Sequence, residues 1–307
     1  MDFFNLISKE VFNVWRYANF YKEFVRPEFR LSGGEGWTTE ESHQSLPDHL
    51  PPLYFKREDR NALGSFKIRG LSYQISRAWQ NGEKKFCISS TGNAALAAAV
   101  LCRKTNLELF CFFHKNPKDK TKREKVLKEI SNQKPSGIFF EEKPTEKCRA
   151  FAKANGIYNL TASSDPWSSE GFKSIGFELA EKKLLSQAAG KVGGVFCFSS
   201  SGSSIIGIGE GFRFLLQNGV IKTAIPLYPV KNVSIKRGVE VESLVQESNG
   251  EIININLNDL GKSQKLLSLL SVQTSVEGAA ALAGFLKVQK VKKIEKPIII
   301  LSGRKWI

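Results

Sequence analysis

Residues 56–70, Lys-Arg-Glu-Asp-Arg-Asn-Ala-Leu-Gly-Ser-Phe-Lys-Ile-Arg-Gly, decide the fold of this chain. They continue a short apolar strand, Leu53–Phe55, turn through residues 61–64, and enter a helix whose first turn carries Lys67. Apolar neighbours can dehydrate the amine of Lys67, and the nearby cation Arg69 further disfavours a second positive charge. Both effects favour the neutral, nucleophilic amine. The stretch therefore predicts a reactive lysine.

A second motif follows one helix later. Residues 85–88, Lys-Phe-Cys-Ile, predict a strand that runs into Ser-Ser-Thr-Gly-Asn and then an alanine-rich helix over residues 94–99. A polar turn between a strand and a helix presents hydroxyl groups and the unpaired N–H groups of the helix N-terminus. The residues of this turn, Ser90, Thr91, Gly92 and Asn93, are therefore candidates for binding a carboxylate or a phosphate.

The second half of the chain offers two further polar turns after apolar strands. Residues 194–198, Gly-Val-Phe-Cys-Phe, lead into Ser199–Ser204 and a helix from Ile205 to Leu216. Residues 297–301, Pro-Ile-Ile-Ile-Leu, read as a buried strand that delivers Ser302 at its carboxyl end. Strands alternate with helices along the chain, which indicates a parallel, open α/β sheet. Such sheets place ligand groups beyond the carboxyl ends of their strands.

Taken in order, these motifs resemble those of the fold-type II pyridoxal-phosphate (PLP) enzymes, which include threonine synthase, threonine dehydratase, cysteine synthase and tryptophan synthase β. The chain is most similar to threonine synthases, whose opening is matched by Trp15-Arg16-Tyr17 and by Gly-Glu-Gly-Trp-Thr at 34–38. The resemblance extends over about residues 14–305. It implies an α/β fold, with two open α/β domains, largely parallel sheets and the cofactor in the cleft between them. We expect residues 1–62 and 168–307 to form the large PLP-binding domain, and residues 63–167 to form the small one. We also expect the aromatic residues within 1–30 to lie on a helix that packs on the core, and the polar, proline-containing residues 40–52 to form a surface loop.

The resemblance also implies a role for each candidate residue. Lys67 would be the catalytic residue and hold pyridoxal 5'-phosphate, Asn93 would contact the ring oxygen, and Ser302 would hydrogen-bond the ring nitrogen without protonating it. The cofactor phosphate would lie on the loop of Ser200, Ser201, Gly202, Ser203 and Ser204. The substrate would be bound by Ser90, Thr91, Gly92 and Asn93, with Ser163 and Lys173 as further donors. No metal is expected, because the chain has three histidines and no Cys-x-x-Cys.

The reaction is left open between three alternatives. A threonine synthase would convert O-phosphohomoserine and water to threonine and phosphate, but its phosphate-binding arginine falls on Ser168 and the threonine after its Asn falls on Ala94. Lys67-Ile68-Arg69 resembles threonine dehydratase, which indicates β-elimination from serine or threonine. The short segment 231–249 and the serine-rich loop suggest a third possibility, a non-catalytic PLP-binding relative.

Composition constrains the partners. The 307 residues carry a formal net charge of +15, yet the densest basic cluster, residues 115–128, alternates with acids and has no interleaved aromatic residues. We therefore expect a small amino-acid substrate rather than a nucleic acid. No apolar run is long enough to span a membrane, Asp2 and Glu10 disfavour a signal peptide, and the five cysteines are widely spaced. We accordingly expect a cytoplasmic protein, with free thiols, that forms a homodimer.

Overall fold

The computed structural model describes residues 2–44, 46, 50–117, 119–182, 184–185 and 192–306. Within these ranges the strands are β1 (Glu40–His43), β2 (Leu53–Lys56), β3 (Lys85–Ser89), β4 (Glu108–His114), β5 (Gly137–Glu141), β6 (Tyr158–Asn159), β7 (Gly194–Phe198), β8 (Leu227–Lys231), β9 (Ile253–Asn254) and β10 (Pro297–Ile300). The α-helices are α1 (Lys67–Gln80), α2 (Asn93–Arg103), α3 (Lys120–Asn132), α4 (Pro144–Asn155), α5 (Lys173–Glu181), α6 (Ser203–Gln217), α7 (Gly238–Glu247), α8 (Leu257–Leu269) and α9 (Val276–Gln289).

The chain divides into two compact units, each built from separate stretches. The first comprises Met1–Ile7, Gly36–Phe66 and Phe172–Lys305, and the second comprises Ser8–Glu35, Lys67–Gly171 and Trp306–Ile307. None of the helices in the described ranges is both long and apolar enough to cross a membrane. The cysteines Cys87, Cys102, Cys111, Cys148 and Cys197 are free and buried.

A six-stranded sheet organises the first unit, in the order β1-β2-β10-β7-β8-β9. All neighbouring pairs are parallel except β1 with β2. In β10, Ile298, Ile299 and Ile300 are fully buried, as expected for a strand with neighbours on both sides and helices on both faces. The Phe196 and Tyr228 rings stack at 4.5 Å between neighbouring strands and extend this core.

The second unit contains a four-stranded sheet, in the order β5-β4-β3-β6, with every pair parallel. Alternation of strands and helices along residues 67–159 therefore produces the open α/β arrangement that the sequence predicts. The carboxyl ends of β3 and β6 are neighbours at one edge of this sheet.

The aromatic residues near the start of the chain were predicted to form a core-packed helix, and this is wrong in form. They lie in short 3-10 turns, of which Val14–Phe20 is the longest. The Trp15 and Tyr21 rings pack 6.0 and 4.9 Å from the Tyr73 ring of α1. Because of this packing, residues 8–35 belong to the second unit and not, as the predicted range 1–62 had it, to the first.

Residues 40–52 were predicted to be a surface loop, but residues 40–43 form β1, antiparallel to β2. The polar sequence Glu-Glu-Ser-His forms a strand here because its acidic side chains form ion pairs with basic ones. The Glu40 and Glu41 carboxylates pair with Lys56 and Arg57. Residues 45 and 47–49 of the predicted loop lie outside the described residues.

Candidate functional site

The predicted cofactor residues of the first unit lie at one edge of its sheet. Strands β2, β10 and β7 are parallel neighbours, so their carboxyl ends meet at the same edge. Residues 57–66 follow β2, Ser302 follows β10, and Ser199–Ser204 follow β7. The structure thus brings the ring-nitrogen candidate and the phosphate-loop candidate to adjacent strand ends.

The loop that leads to Lys67 is shaped by Asn61. Its Oδ1 accepts hydrogen bonds from the backbone N–H groups of Gly36 (3.1 Å) and Ala62 (2.9 Å), and its Nδ2 donates to Glu58 (2.7 Å). The Glu58 carboxylate also accepts from the Thr38 hydroxyl at 2.6 Å. The bonds from Gly36 and Thr38 join the Gly-Glu-Gly-Trp-Thr motif to the lysine motif, and the other two hold the turn within the lysine motif.

Backbone hydrogen bonds fix Ser302 beside the residues that precede Lys67. The Ser302 carbonyl accepts from the Phe66 N–H at 3.2 Å and from the Ser65 hydroxyl at 3.1 Å. Lys67 is the next residue, half-buried, and begins α1. No hydrogen bond joins the Ser302 hydroxyl to another described residue, so this hydroxyl keeps its donor for a ligand.

The serine loop is held in a conformation that requires glycine at its centre. Gly202 has φ +92°, and a Cβ there would lie 3.1 Å from Val241 and 3.2 Å from Arg237. Helix α6 starts at the next residue, and the Ser203 N–H lies 3.3 Å from the Ser201 hydroxyl, a weak bond. A positive-φ glycine before a fifteen-residue helix exposes backbone N–H groups at the helix N-terminus.

The segment 231–249 packs against this loop. The Lys236 N–H donates to the Ser200 carbonyl at 3.0 Å, and the Arg237 N–H donates to the Ser201 carbonyl at 3.1 Å. Residues 236 and 237 therefore hold the carbonyl groups of the loop in place. Its N–H groups are the ones that α6 orients.

A phosphate fits the donors of this loop. The Ser199 hydroxyl is buried and has no hydrogen-bond partner among the described residues, which is costly unless a ligand supplies one. Serine hydroxyls and helix N-terminal N–H groups are all donors, as an anion requires. The loop thus suits the phosphate of a cofactor.

In the second unit, the candidate substrate residues lie at the ends of the neighbouring strands β3 and β6. The Ser90 hydroxyl oxygen accepts from the N–H groups of Gly92 (3.0 Å) and Ala95 (3.4 Å), while Thr91 is exposed. Ser163 is half-buried in the turn after β6. The structure therefore brings Ser90, Thr91, Gly92, Asn93 and Ser163 to one edge of the small sheet.

Asn93 is the first residue of α2, and its Oδ1 accepts a hydrogen bond from the indole Nε1 of Trp306 at 3.1 Å. Sequence reasoning missed Trp306 entirely. No motif or periodicity connects residue 306 to residue 93, so no local signal could have identified the pair.

Two of the residues considered for substrate phosphate are engaged elsewhere. Ser168 is 3% exposed and donates its hydroxyl to the Ala162 carbonyl at 2.9 Å. The Lys173 ammonium, at the start of α5, lies 3.5 Å from the Glu210 carboxylate of α6. Lys173 thus joins two packed helices, and its contact with a substrate stays a prediction.

The chain matches known proteins along most of its length. Residues 31–303 match the family model described as pyridoxal-phosphate dependent enzyme. A threonine synthase of Methanosarcina acetivorans is 28% identical over 182 residues, which are 57% of this chain and 43% of that protein. A human L-serine dehydratase/L-threonine deaminase is 30% identical over 165 residues, 52% of this chain and 49% of that protein. The chain thus spans less than half the length of each of these two relatives.

Solved structures show the same fold at low identity. Maize serine racemase has a TM-score of 0.69 and 18% identity, and the match covers 87% of this chain and 88% of that one. The T.th. threonine deaminase has a TM-score of 0.70 and 16% identity, with 87% and 92% covered. The fold is therefore that of the fold-type II enzymes and the cofactor is pyridoxal 5'-phosphate. The chain belongs to the family of pyridoxal-phosphate dependent enzymes.

Proposed function

We propose that this PLP-dependent enzyme is a carbon–oxygen lyase acting on a small amino acid, by a threonine synthase-like reaction. That reaction converts O-phosphohomoserine and water to threonine and phosphate and would place the enzyme in threonine biosynthesis. The sequence signatures at residues 15–17, 34–38 and 89–93 support it. The likeness to the M. acetivorans threonine synthase supports it at low identity.

The observation that carries the lyase proposal is the placement of Lys67. The three residues before it are tied by backbone hydrogen bonds to residues 302–304 at the carboxyl end of β10. Lys67 would hold the cofactor, Ser200–Ser204 its phosphate, Asn93 its ring oxygen and Ser302 its ring nitrogen. When bound, PLP withdraws electrons from the Cα of an amino acid joined to it.

The protein's own residues then perform the remaining tasks. The loop from Ser90 to Asn93 binds the substrate carboxylate through its hydroxyl and N–H donors. The Lys67 amine, in its neutral form, would accept the proton from the substrate Cα as a general base. This proton removal precedes loss of a leaving group from either Cβ or Cγ, so Lys67 serves both candidate reactions.

A second candidate, β-elimination from serine or threonine, is favoured by Ser168. Its hydroxyl donates within its own turn, and it replaces an arginine that would grip a phosphate through two parallel hydrogen bonds. A substrate whose leaving group is hydroxide carries no phosphate, so its binding does not need that arginine. Loss of water followed by hydrolysis gives a 2-oxo acid and ammonia.

One protein sample distinguishes the candidates. Phosphate release is measured with O-phosphohomoserine, and oxo-acid release is measured with serine and with threonine, each against Lys67→Ala as a control. Phosphate and threonine without oxo acid would establish the threonine synthase reaction, and oxo acid alone would establish the dehydratase. Neither product from a PLP-loaded protein would refute the lyase proposal and leave a non-catalytic PLP-binding relative.

The assembly is a separate proposal. We infer a homodimer, as expected from the resemblance, and sedimentation velocity of the PLP-loaded protein tests it. A single species at the 34.3 kDa of one chain would refute it.

A further inference from the structure

We propose that Trp306 is a positioning residue for the cofactor. Its indole N–H fixes the carboxamide of Asn93 so that the Asn93 amide N–H groups face the ring oxygen of PLP. The inference rests on the proposed role of Asn93, and it is independent of which substrate the enzyme uses.

The first step is the orientation of the Asn93 side chain. A carboxamide can be turned with its oxygen or its nitrogen toward a given neighbour, and the hydrogen-bond network decides which. The neighbour here is the Trp306 indole Nε1, 3.1 Å away, which is a donor and never an acceptor. The oxygen must therefore face Trp306, and the NH2 group must point to the other side.

The second step concerns what the NH2 group can bind. Among the described residues, no hydrogen bond is made by the Asn93 Nδ2, although Asn93 is half-buried. Two N–H donors at a half-buried position favour an acceptor. The ring oxygen of PLP is an acceptor and carries negative charge when ionised, which strengthens such a bond. The flipped carboxamide would instead present its oxygen and repel the ring oxygen.

The third step shows that the helix itself does not hold the Asn93 oxygen. At helix starts, asparagine oxygens commonly accept from the helix's own unpaired N–H groups. Here the Ser90 hydroxyl oxygen accepts from the N–H groups of Gly92, just before α2, and of Ala95, and among the described residues the Asn93 Oδ1 accepts from Trp306 alone. Trp306 is therefore the group that determines which way the carboxamide faces.

The position of Trp306 in the chain gives this contact a further meaning. Trp306 lies four residues after Ser302, the ring-nitrogen candidate, and the Arg304 N–H between them donates to the Gly64 carbonyl at 2.7 Å. Trp306 is thus close in sequence to the residue proposed for the ring nitrogen.

The test is a double-mutant cycle on PLP affinity with Trp306→Phe, Asn93→Ala and the double variant. Phenylalanine keeps an aromatic ring and removes the N–H. PLP is titrated into each apoprotein, followed by absorbance and by visible circular dichroism, which reports the orientation of the bound ring. Trp79→Phe is the matched control, since Trp79 packs edge-on against Phe29 in the same unit and serves no proposed site.

We expect Trp306→Phe to weaken PLP binding about fivefold, the effect of one lost hydrogen bond, and to change the circular dichroism band. Because Trp306 acts through Asn93, the double variant should bind no worse than Asn93→Ala alone, and Trp79→Phe should match the wild type. Wild-type affinity and spectrum in Trp306→Phe would overturn the inference, as would losses that simply add. An unchanged Asn93→Ala would overturn the role of Asn93 and this inference, and would leave the lyase assay unaffected.

Discussion

Replacing Gly64 with alanine tests whether the loop before Lys67 is held by its contact with the segment after β10. Gly64 is buried with φ +68°, and a Cβ there would lie 2.3 Å from Cδ and 2.6 Å from Cγ of Arg304. A left-handed backbone costs alanine about 1 kcal/mol. Moving the middle of the Arg304 side chain adds the cost of overpacking, about 1–3 kcal/mol. We expect Gly64→Ala to lower the free energy of unfolding by about 2–4 kcal/mol in total.

Two further variants separate these costs. Gly219→Ala is a matched control in the same unit, because Gly219 has φ +71° and no atom within 4 Å of an added Cβ. It should show only the backbone cost of about 1 kcal/mol. Adding Arg304→Ala to Gly64→Ala should recover the packing cost in a double-mutant cycle.

The assay is urea unfolding of the PLP-loaded protein, followed by far-ultraviolet circular dichroism, with PLP affinity measured on the same samples. Gly64→Ala should also weaken PLP binding, because it shifts the residues that lead to Lys67, and Gly219→Ala should not. Equal losses of stability in Gly64→Ala and Gly219→Ala would refute the reasoning. The reasoning would also be refuted if the Gly64→Ala, Arg304→Ala double variant showed no packing cost recovered in the double-mutant cycle.

Three more outcomes are expected. The PLP-loaded protein should be yellow, borohydride should fix the cofactor on Lys67, and Lys67→Ala should lose both covalent attachment and turnover, as mass spectrometry of the reduced protein can show. Gly202→Val should weaken PLP binding, measured by absorbance titration, because its side chain meets Val241 and Arg237 at a backbone φ of +92°; unchanged affinity would place the phosphate elsewhere. Burial raises the pKa of Glu35 above its ordinary value of 4.5, so the folded state binds a proton that the unfolded state lacks between the two values. As the pH falls from about 7 toward 4.5, the free energy of unfolding of the wild type should therefore rise relative to that of Glu35→Gln. Urea unfolding at a series of pH values measures this, and a constant difference between the two proteins would contradict it.

Much of the fold could be predicted because the parallel strands are short apolar runs that can be recognised in the sequence. The run Pro-Ile-Ile-Ile is apolar throughout, and β10 indeed lies between two parallel neighbours. The turns at Ser90 and Gly202 follow apolar strands and precede helices, and this local pattern determines the edge of the sheet at which they lie.

The failures share a different physical origin. The sequence Glu-Glu-Ser-His forms β1 where its two acids pair with Lys56 of the neighbouring strand β2 and with Arg57, the residue that follows it. The Asn93–Trp306 bond and the pairing of Lys173 with Glu210 likewise depend on which elements pack together. Contacts between residues distant in sequence are absent from any local pattern, so the detail of the site could not be read from the chain.

The place of β10 in its sheet also has a consequence for how the protein is made. Strands β2 and β7 both pair with β10 and not with each other, so the sheet of the first unit lacks its central strand until residues 297–300 leave the ribosome. The second unit's sheet, β3 to β6, is complete by residue 159 and can form during synthesis. Until β10 arrives, β2 and β7 present open edges that can pair with other chains. A nascent chain halted before Pro297 should therefore aggregate more readily, in a pelleting assay, than one halted after residue 171.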